Sequence, residues 1–483
     1  QDCLRLRREP PPASMLRSMT GAIAMWVVRG GRAQSCAAGG EACNVGGRPP
    51  CSVRHPALAA VLRPDSDSPT ASELDRAQQL LGSAGTLDFE AGRLAETGLF
   101  AAAAVDDSSY TGYQNAWTRD NVHLAHALLV TGDAVGAVQV ARQLAKFYLK
   151  HIHRFDDLLS GVADARDSNR WPHIRFNGRL LVENPEGWGH KQNDAYGYFL
   201  WLFAKLARQG EFSPSADEMA LLAKFAQLFR KLEFWRVEDN GHWEEAPKVE
   251  ASSIGTAVAG IREVKALVRE QPRLDQHPEL APLLDVLEAR GREALAEILP
   301  SETRQPGKQR DFDAALLFLI YPLQVVDGAM AGTILRRVEE HLVREHGTLR
   351  YLGDSYWHQD WKDVLEAVSS GTNEERDARL EPGAEAQWCI FDSIISVIHG
   401  LEYQRTRDAA ALDAQRHYLK RSLGQITGPD AELGPWKVPE SYYRRKGAWV
   451  ENDNTPLLWA QANLKVAMTV MKESLSLSVA SRL

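Results

Sequence analysis

Helical periodicity runs through most of this 483-residue chain, from residue 72 to residue 474, while the alternation typical of β-strands is nearly absent. Ser72 and Asp75 have the spacing of a capping box at the start of the first helix. About twelve helical segments are predicted. They lie near residues 72–82, 117–131, 133–152, 191–209, 216–232, 249–270, 279–298, 311–321, 328–346, 384–406, 409–423 and 453–474. The pattern predicts an all-α protein.

Two kinds of helix recur along the chain. Residues 216–232 are amphipathic, with Leu222 and Phe225 on the apolar face. Residues 195–204 and 314–320 are apolar on every side, which is typical of helices surrounded by other helices. Such an array predicts two concentric layers, as in an (α/α)6 barrel. A stacked α-solenoid would look similar, but no fixed repeat of 20–50 residues is visible.

The first 55 residues differ in composition from the rest, since they hold eight Arg, no Lys and no periodic segment. We therefore predict that residues 1–68 are a leader and linker, disordered or absent from the mature protein. Residues 69–477 are predicted to form the barrel, and 478–483 a tail. The apolar stretch 21–28 could be the core of a signal peptide, but it lies late and lacks a small-x-small cleavage site.

Charge and cysteine content exclude several classes of protein. The chain carries 56 Lys and Arg against 64 Asp and Glu, a net charge of −8, whereas nucleic-acid-binding proteins are usually basic. Its longest apolar stretch, 195–204, is shorter than the roughly 20 residues that cross a bilayer. The spacing of Cys36, Cys43 and Cys51 fits no zinc site. We predict no nucleic acid, membrane, metal or cofactor, and a cytoplasmic location; the oligomeric state is left open.

Five long loops that precede helices are rich in Trp, Tyr, carboxylates and Arg. They are residues 116–121, 185–194, 241–245, 350–357 and 435–443. In a barrel whose helices alternate in direction, the loops entering the inner helices open at one end, so we expect these loops to line one pocket. Aromatic rings pack on the C–H faces of sugars, and charged groups bind their hydroxyls. A single Trp could equally well only pack the barrel mouth, but five such loops favour a saccharide site.

The order of these motifs resembles glycoside hydrolase family 15, the glucoamylase-like family, over about residues 72–475. The resemblance is still stronger to the barrel region of the phosphorylase kinase α and β regulatory subunits. Trp-Thr-Arg-Asp at 117–120 looks like the segment that holds the non-reducing-end sugar, and Arg-Tyr-x-x-Asp-x-Tyr begins at Arg350. The resemblance and the loop content imply substrate binding by Trp117, Arg119, Asp120, Trp188, Gln192, Asp194, Trp243, Glu245, Arg350, Asp354, Tyr356, Trp388 and Trp436.

Two further motifs carry the expected catalytic residues. Trp-Glu-Glu at 243–245 is similar to the general-acid motif of the family, and Pro-Glu-Ser-Tyr at 439–442 is similar to the general-base motif. The resemblance implies that Glu244 protonates the leaving oxygen and that Glu440 activates water. Inverting hydrolysis of this kind separates the two carboxyl groups by about 6.5–9.5 Å. Taken singly, each Glu would more often be a charged helix start or a surface ion pair.

The sequence thus predicts an inverting, glucoamylase-like hydrolase that releases glucose from the non-reducing end of α-glucans or oligosaccharides. Two features favour an alternative, a catalytically weak or inactive glucan-binding or regulatory barrel. His190 and Lys191 stand where glucoamylases commonly carry Arg-Pro. The stretch Ala-Ser-Ser-Ile-Gly at 251–255 is similar to the Ala-Ser-Ser-Val-Gly of the kinase subunits, which associates the chain with glycogen metabolism.

Overall fold

The computed structural model describes residues 53–62, 70–105, 110–271, 278–361 and 376–480. Fourteen α-helices lie within these ranges. They are α1 (Pro56–Val61), α2 (Ala71–Ser83), α3 (Thr118–Val130), α4 (Ala134–Lys150), α5 (His153–Ser160), α6 (Asn193–Arg208), α7 (Ala216–Leu232), α8 (Ala251–Glu270), α9 (Leu280–Ile298), α10 (Leu317–Ile320), α11 (Gly328–His341), α12 (Phe391–Thr406), α13 (Ala409–Gly424) and α14 (Leu458–Ala480).

Twelve of these helices form two layers. The inner helices α3, α6, α8, α10, α12 and α14 contact one another in that order, and α14 contacts α3, which closes the ring. Each inner helix also contacts an outer helix, namely α4, α7, α9, α11, α13 or α2. The first eleven residues of α3 are all buried, as expected for a helix surrounded by neighbours. The arrangement confirms the predicted (α/α)6 barrel.

Glycines bring two inner helices into backbone contact. A Cβ atom on Gly197 of α6 would lie 2.4 Å from the backbone of Thr256 in α8. A Cβ on Gly260 of α8 would lie 2.6 Å from the carbonyl oxygen of Gly197. Glycine in a helix interior costs about 1 kcal/mol relative to alanine. The close approach of α6 and α8 requires glycine at both positions despite this cost, because any side chain there would push the two helices apart.

Within the described ranges, six short strands form two three-stranded antiparallel sheets beside the inner-helix entrances. The first sheet contains β1 (Ala116–Trp117), β2 (Arg175–Asn177) and β3 (Val182–Glu183). The second contains β4 (Gln387–Trp388), β5 (Ser441–Arg445) and β6 (Ala448–Glu451), with Trp388 opposite Ser441. Strands this short show little alternation in the sequence. The helix predicted from residue 384 therefore begins only at Phe391, after β4.

The predicted N-terminal leader is described only in part. Much of the predicted leader and linker, residues 1–52 and 63–68, lies outside the described residues. Residues 53–62, however, contain α1, and Leu58 and Leu62 are buried in the hydrophobic core. Packing against the barrel thus extends back before residue 69, because a short apolar helix follows the Arg-rich segment.

The capping box of α2 lies two residues before its predicted position. Thr70 Oγ1 accepts a hydrogen bond from the backbone N–H of Glu73, and the Glu73 carboxylate accepts one from the N–H of Thr70.

In the described part of the chain, Cys389 is a buried free thiol. No described helix is long and apolar enough to cross a membrane.

Two Gly→Ala substitutions, one at the contact between α6 and α8 and one on the exposed helix α11, should have opposite effects on stability. Gly260→Ala should lower the free energy of unfolding by about 1–3 kcal/mol, because the new methyl group overlaps the backbone of α6. Gly332→Ala, in the exposed interior of α11 where no atom lies within 4 Å of the new Cβ, should raise it by about 0.5–1 kcal/mol. Urea denaturation of both variants checks this, and a Gly260→Ala protein as stable as the wild type would contradict the proposed packing.

Candidate active site

One cavity of about 360 Å³ opens among the loops that precede the inner helices. Eleven of the predicted site residues line it, although they come from distant parts of the chain. They are Trp117, Arg119, Asp120, Trp188, Trp243, Glu244, Glu245, Arg350, Tyr356, Trp388 and Glu440. Asp120, His242 and Trp459 line the cavity and are almost fully buried, whereas Tyr110 on its rim is 64% exposed. The cavity therefore has a buried floor and an open mouth.

Glu440 is fixed next to Trp388 by the second sheet. Its carbonyl oxygen accepts a hydrogen bond of 2.9 Å from the N–H of Cys389, immediately before β5 begins. Its carboxylate Oε1 accepts a 2.6 Å bond from the hydroxyl of Tyr113. Oε2 accepts bonds of 2.5 Å from Asn452 and 2.7 Å from Asn454. Burial raises the pKa of Glu440, although these three hydrogen bonds oppose the shift.

Glu244 is held by four N–H donors at the side of the cavity. Oε1 accepts from the Trp117 indole at 2.9 Å, from Gln192 at 3.2 Å and from Arg119 at 3.4 Å. Oε2 accepts from the Trp188 indole at 3.0 Å. The backbone of Glu244 has a φ of +58°, a left-handed conformation that L-residues other than Asn and Asp seldom adopt. The turn and the donors together fix the direction of this carboxyl group.

Three predicted substrate-binding residues support the cavity wall from behind. Asp194, which is fully buried, forms a 2.6 Å ion pair with Arg119. Gln192 accepts hydrogen bonds of 3.0 and 3.1 Å from the same guanidinium group. Asp354 makes a two-pronged contact of 2.6 and 2.7 Å with Arg350. These contacts orient the two arginines, so Gln192, Asp194 and Asp354 are positioning residues rather than part of the cavity lining.

Glu245 lines the cavity, but its carboxylate is already occupied by protein groups. It accepts from Arg310 at 2.8 Å, from Lys248 at 3.0 Å and from the hydroxyl of Tyr351. Burial opposes ionisation, yet the charges of Arg310, Lys248 and Arg350 outweigh it and lower the pKa of Glu245 to about 2. Glu245 is therefore a fixed negative charge that stabilises a cluster of cations.

Trp436, which was predicted to bind substrate, lies outside the cavity. Its ring packs against His55 in a tilted arrangement with 3.5 Å between ring centroids, and its carbonyl oxygen accepts a hydrogen bond of 2.7 Å from the hydroxyl of Thr86. Gly434 and Trp436 both have positive φ angles, +90° and +65°. This turn directs the Trp436 ring towards the segment that precedes α1, so the cavity lining gives no support to its predicted role, which stays a prediction.

Several residues that contact Glu440 or Trp188 gave no recognisable sequence signal. Tyr113 precedes the Trp-Thr-Arg-Asp motif by four residues, but only the fold brings it to Glu440. Asn452 and Asn454 reach Glu440 because β5 and β6 pair, with Tyr442 opposite Glu451. Arg175 of β2 lies 4.3 Å from the centre of the Trp188 ring. All four depend on pairing between distant segments. No cluster of His, Cys, Asp and Glu suited to a metal ion occurs among the described residues.

The sequence matches one protein-family model and two curated relatives. The model of glycosyl hydrolases family 15 matches residues 76–421. A probable phosphorylase b kinase regulatory subunit alpha of Drosophila melanogaster is 25% identical over 399 residues, covering 76% of this chain and 30% of that protein. Its Caenorhabditis elegans counterpart is 25% identical over 407 residues, covering 76% and 31%. The chain spans less than a third of the length of these curated relatives.

Solved structures share the barrel fold. A glycosidase in complex with glucose has a TM-score of 0.60 at 19% identity, and the match covers 85% of this chain and 99% of that one. A bacterial glucoamylase complexed with acarbose has a TM-score of 0.54 at 15% identity, covering 83% and 59%. The fold agrees with the family match, which extends over most of the barrel. The chain belongs to glycosyl hydrolases family 15.

Proposed function

We propose that this protein is an inverting exo-glycosidase that releases glucose from the non-reducing end of an α-glucan or oligosaccharide. The observation that carries the proposal is that Glu244 and Glu440, 196 positions apart in the sequence, line the same aromatic-walled cavity. Inverting hydrolysis uses two such carboxyl groups, one as general acid and one as general base. A cavity with a buried floor fits a chain end better than the interior of a polymer.

Glu440 is the proposed general base. Three donors hold its carboxylate in one orientation, and a carboxylate has about four acceptor sites. Because Oε1 bonds only to Tyr113 while Oε2 bonds to two amides, the remaining acceptor site lies on Oε1. A water molecule bound there would be oriented for attack on the anomeric carbon. This use of Glu440 requires the ionised form.

Glu244 is the proposed general acid, with Oε2 as the proton-carrying atom. Oε1 already accepts three N–H donors, whereas Oε2 accepts only from Trp188. The ring faces of Trp117, Trp188 and Trp243 would pack against the sugar, and Arg119, Asp120 and Arg350 would bind its hydroxyls.

A second candidate function is sugar binding without turnover. The four N–H donors on Glu244, including Arg119, bind a carboxylate better than a protonated carboxyl, which opposes an acid role. The curated relatives are regulatory subunits by name. In this case the same cavity would bind the end of a glucan, and the protein would not cleave it.

Substitution of either carboxyl group distinguishes these functions. Glu244→Gln and Glu440→Gln should each lower kcat for glucose release from maltooligosaccharides by about 100-fold or more, since each removes a proton-transfer group. Binding of glucose, followed by tryptophan fluorescence, should persist in both. Glu96→Gln, on the surface beside Arg179, is the matched control and should retain full activity. A wild-type protein that binds maltooligosaccharide but releases no glucose would establish the binding function instead.

The anomer of the product tests the stereochemistry. Inversion at an α-linkage should give β-glucose as the first product, because water attacks the face opposite the leaving group. Proton NMR of the anomeric signals during the first turnovers measures this directly. Initial formation of α-glucose would contradict the roles of both carboxyl groups.

Removal of one donor to Glu440 should shift the acid limb of the pH profile. Burial already raises the pKa of Glu440 above its ordinary value of 4.5, so activity should fall as pH decreases through this raised pKa and protonates the base. Asn454→Ala removes a 2.7 Å hydrogen bond to the carboxylate and should raise the pKa of Glu440 further. The pH dependence of kcat/KM measures the shift; an unchanged or lowered acid limb would argue against Glu440 as the base.

A further inference from the structure

Arg175 on β2 is a buried cation without a close ionic partner. It is only 7% exposed, and its Nε atom has no hydrogen-bond partner among the described residues. Its ion pair with Glu186 spans 4.0 Å, and the side chain of Glu186 is 63% exposed. By contrast, Arg119 and Arg350, which are also buried and line the cavity, each bind a buried carboxylate at 2.6 Å. A buried charge is costly unless it is paired and hydrogen-bonded, so the place of Arg175 in the fold needs another explanation.

Two tryptophan rings contact its guanidinium group instead. The Cζ atom lies 4.3 Å from the ring centre of Trp188 and 5.2 Å from that of Trp117. The strand register explains the second contact, because Arg175 of β2 lies directly opposite Trp117 of β1. Gly112 leaves room for the group, since a Cβ atom there would lie 2.4 Å from Nη2 of Arg175. An indole ring attracts a cation near its face, and more strongly where water is excluded.

The same two rings bind both oxygens of Glu244. The indole N–H of Trp117 donates to Oε1 at 2.9 Å, and that of Trp188 donates to Oε2 at 3.0 Å. The two ring planes meet at 77°, with 6.1 Å between their centroids. The tilt of each ring sets the direction of its N–H group, and Arg175 contacts both rings. A guanidinium group that holds the rings therefore also holds the carboxyl group that they bind.

We propose that Arg175 is a positioning residue for the proposed general acid and acts on Glu244 through the rings of Trp117 and Trp188. The inference rests on the proposed function, because it assumes that Glu244 protonates the leaving oxygen. The two tryptophans line the cavity, whereas Arg175 does not, so its effect on the reaction is indirect. Its buried charge lowers the stability of the protein, while its contacts with the rings favour proton transfer.

Leaving groups of different basicity test this role. Maltose needs a proton on the departing oxygen, whereas α-glucosyl fluoride releases fluoride, a weak base that leaves with little proton donation. Arg175→Met keeps a long side chain without the charge. It should lower kcat for maltose by about tenfold or more, but kcat for α-glucosyl fluoride by less than about threefold. Arg175→Lys keeps the charge but not the planar group, so its kcat for maltose should lie between those of Arg175→Met and the wild type.

Stability provides a second readout that a purely structural role would not produce. Because Arg175→Met removes a buried charge that has no close carboxylate, its midpoint of urea unfolding should equal or exceed that of the wild type. Arg179→Met is the matched control, since it makes the same substitution at an exposed arginine that pairs with Glu96. It should change neither kcat nor the midpoint.

Two results would overturn the proposal while leaving the hydrolase intact. One is an unchanged kcat for maltose in Arg175→Met; the other is an equal loss with both substrates, which would assign Arg175 to sugar binding or to folding. A wild-type protein that hydrolyses neither substrate would contradict the proposed function itself. The ring contact is then tested by a double-mutant cycle of Arg175→Met and Trp188→Leu in urea: non-additive changes in the free energy of unfolding support it, and additive changes overturn it.

Discussion

The buried guanidinium group of Arg119 joins the parts of the molecule that form the cavity. It lies in the first turn of α3, binds Asp194 in the first turn of α6, and reaches Glu244 in the loop before α8. A buried charge without a partner would cost several kcal/mol, so Arg119 stays in place only because Asp194 and Gln192 surround it. This one side chain therefore sets the relative position of three inner-helix entrances.

The cavity separates groups that face the ligand space from groups that hold them. Arg350 shows this division, because Asp354 grips its guanidinium while the same group lies 4.4 Å from the centre of the Trp388 ring. Glu245 shows the opposite case, because its carboxylate lines the cavity but forms ion pairs with Arg310 and Lys248. A residue can thus match a substrate-binding motif although its side chain already forms its hydrogen bonds with other protein groups. The contacts, rather than the residue type, decide which groups are available to a sugar.

The sequence was sufficient to predict the barrel because burial on all sides leaves a local signal. The uninterrupted apolar run at 195–204 predicted an inner helix, and α6 covers it. The Trp-Glu-Glu motif lies in the loop before α8, and its Glu244 lines the cavity. The partners of Glu440 could not be predicted, because Asn452 and Tyr113 reach it only through strand pairing and chain reversal between distant segments. The position of Trp436 could not be predicted either, because a turn with two positive φ angles, at Gly434 and Trp436, places its ring outside the cavity although its sequence segment leads to Glu440.

The distinction between a hydrolase and a sugar-binding barrel comes down to how the cavity distributes protons among its carboxyl groups. Hydrolysis by inversion needs one protonated and one ionised group on opposite sides of the bond. Here the donors to Glu440 favour its ionised form, while burial opposes ionisation and raises its pKa. A sugar ring that displaces water from the cavity would strengthen the effect of burial, because fewer solvent dipoles would remain to stabilise two negative charges. Substrate entry would then itself favour protonation of one carboxyl group. Since Oε2 of Glu244 accepts a single N–H, it is the site within that group where a proton can be added with the smallest loss of hydrogen bonding.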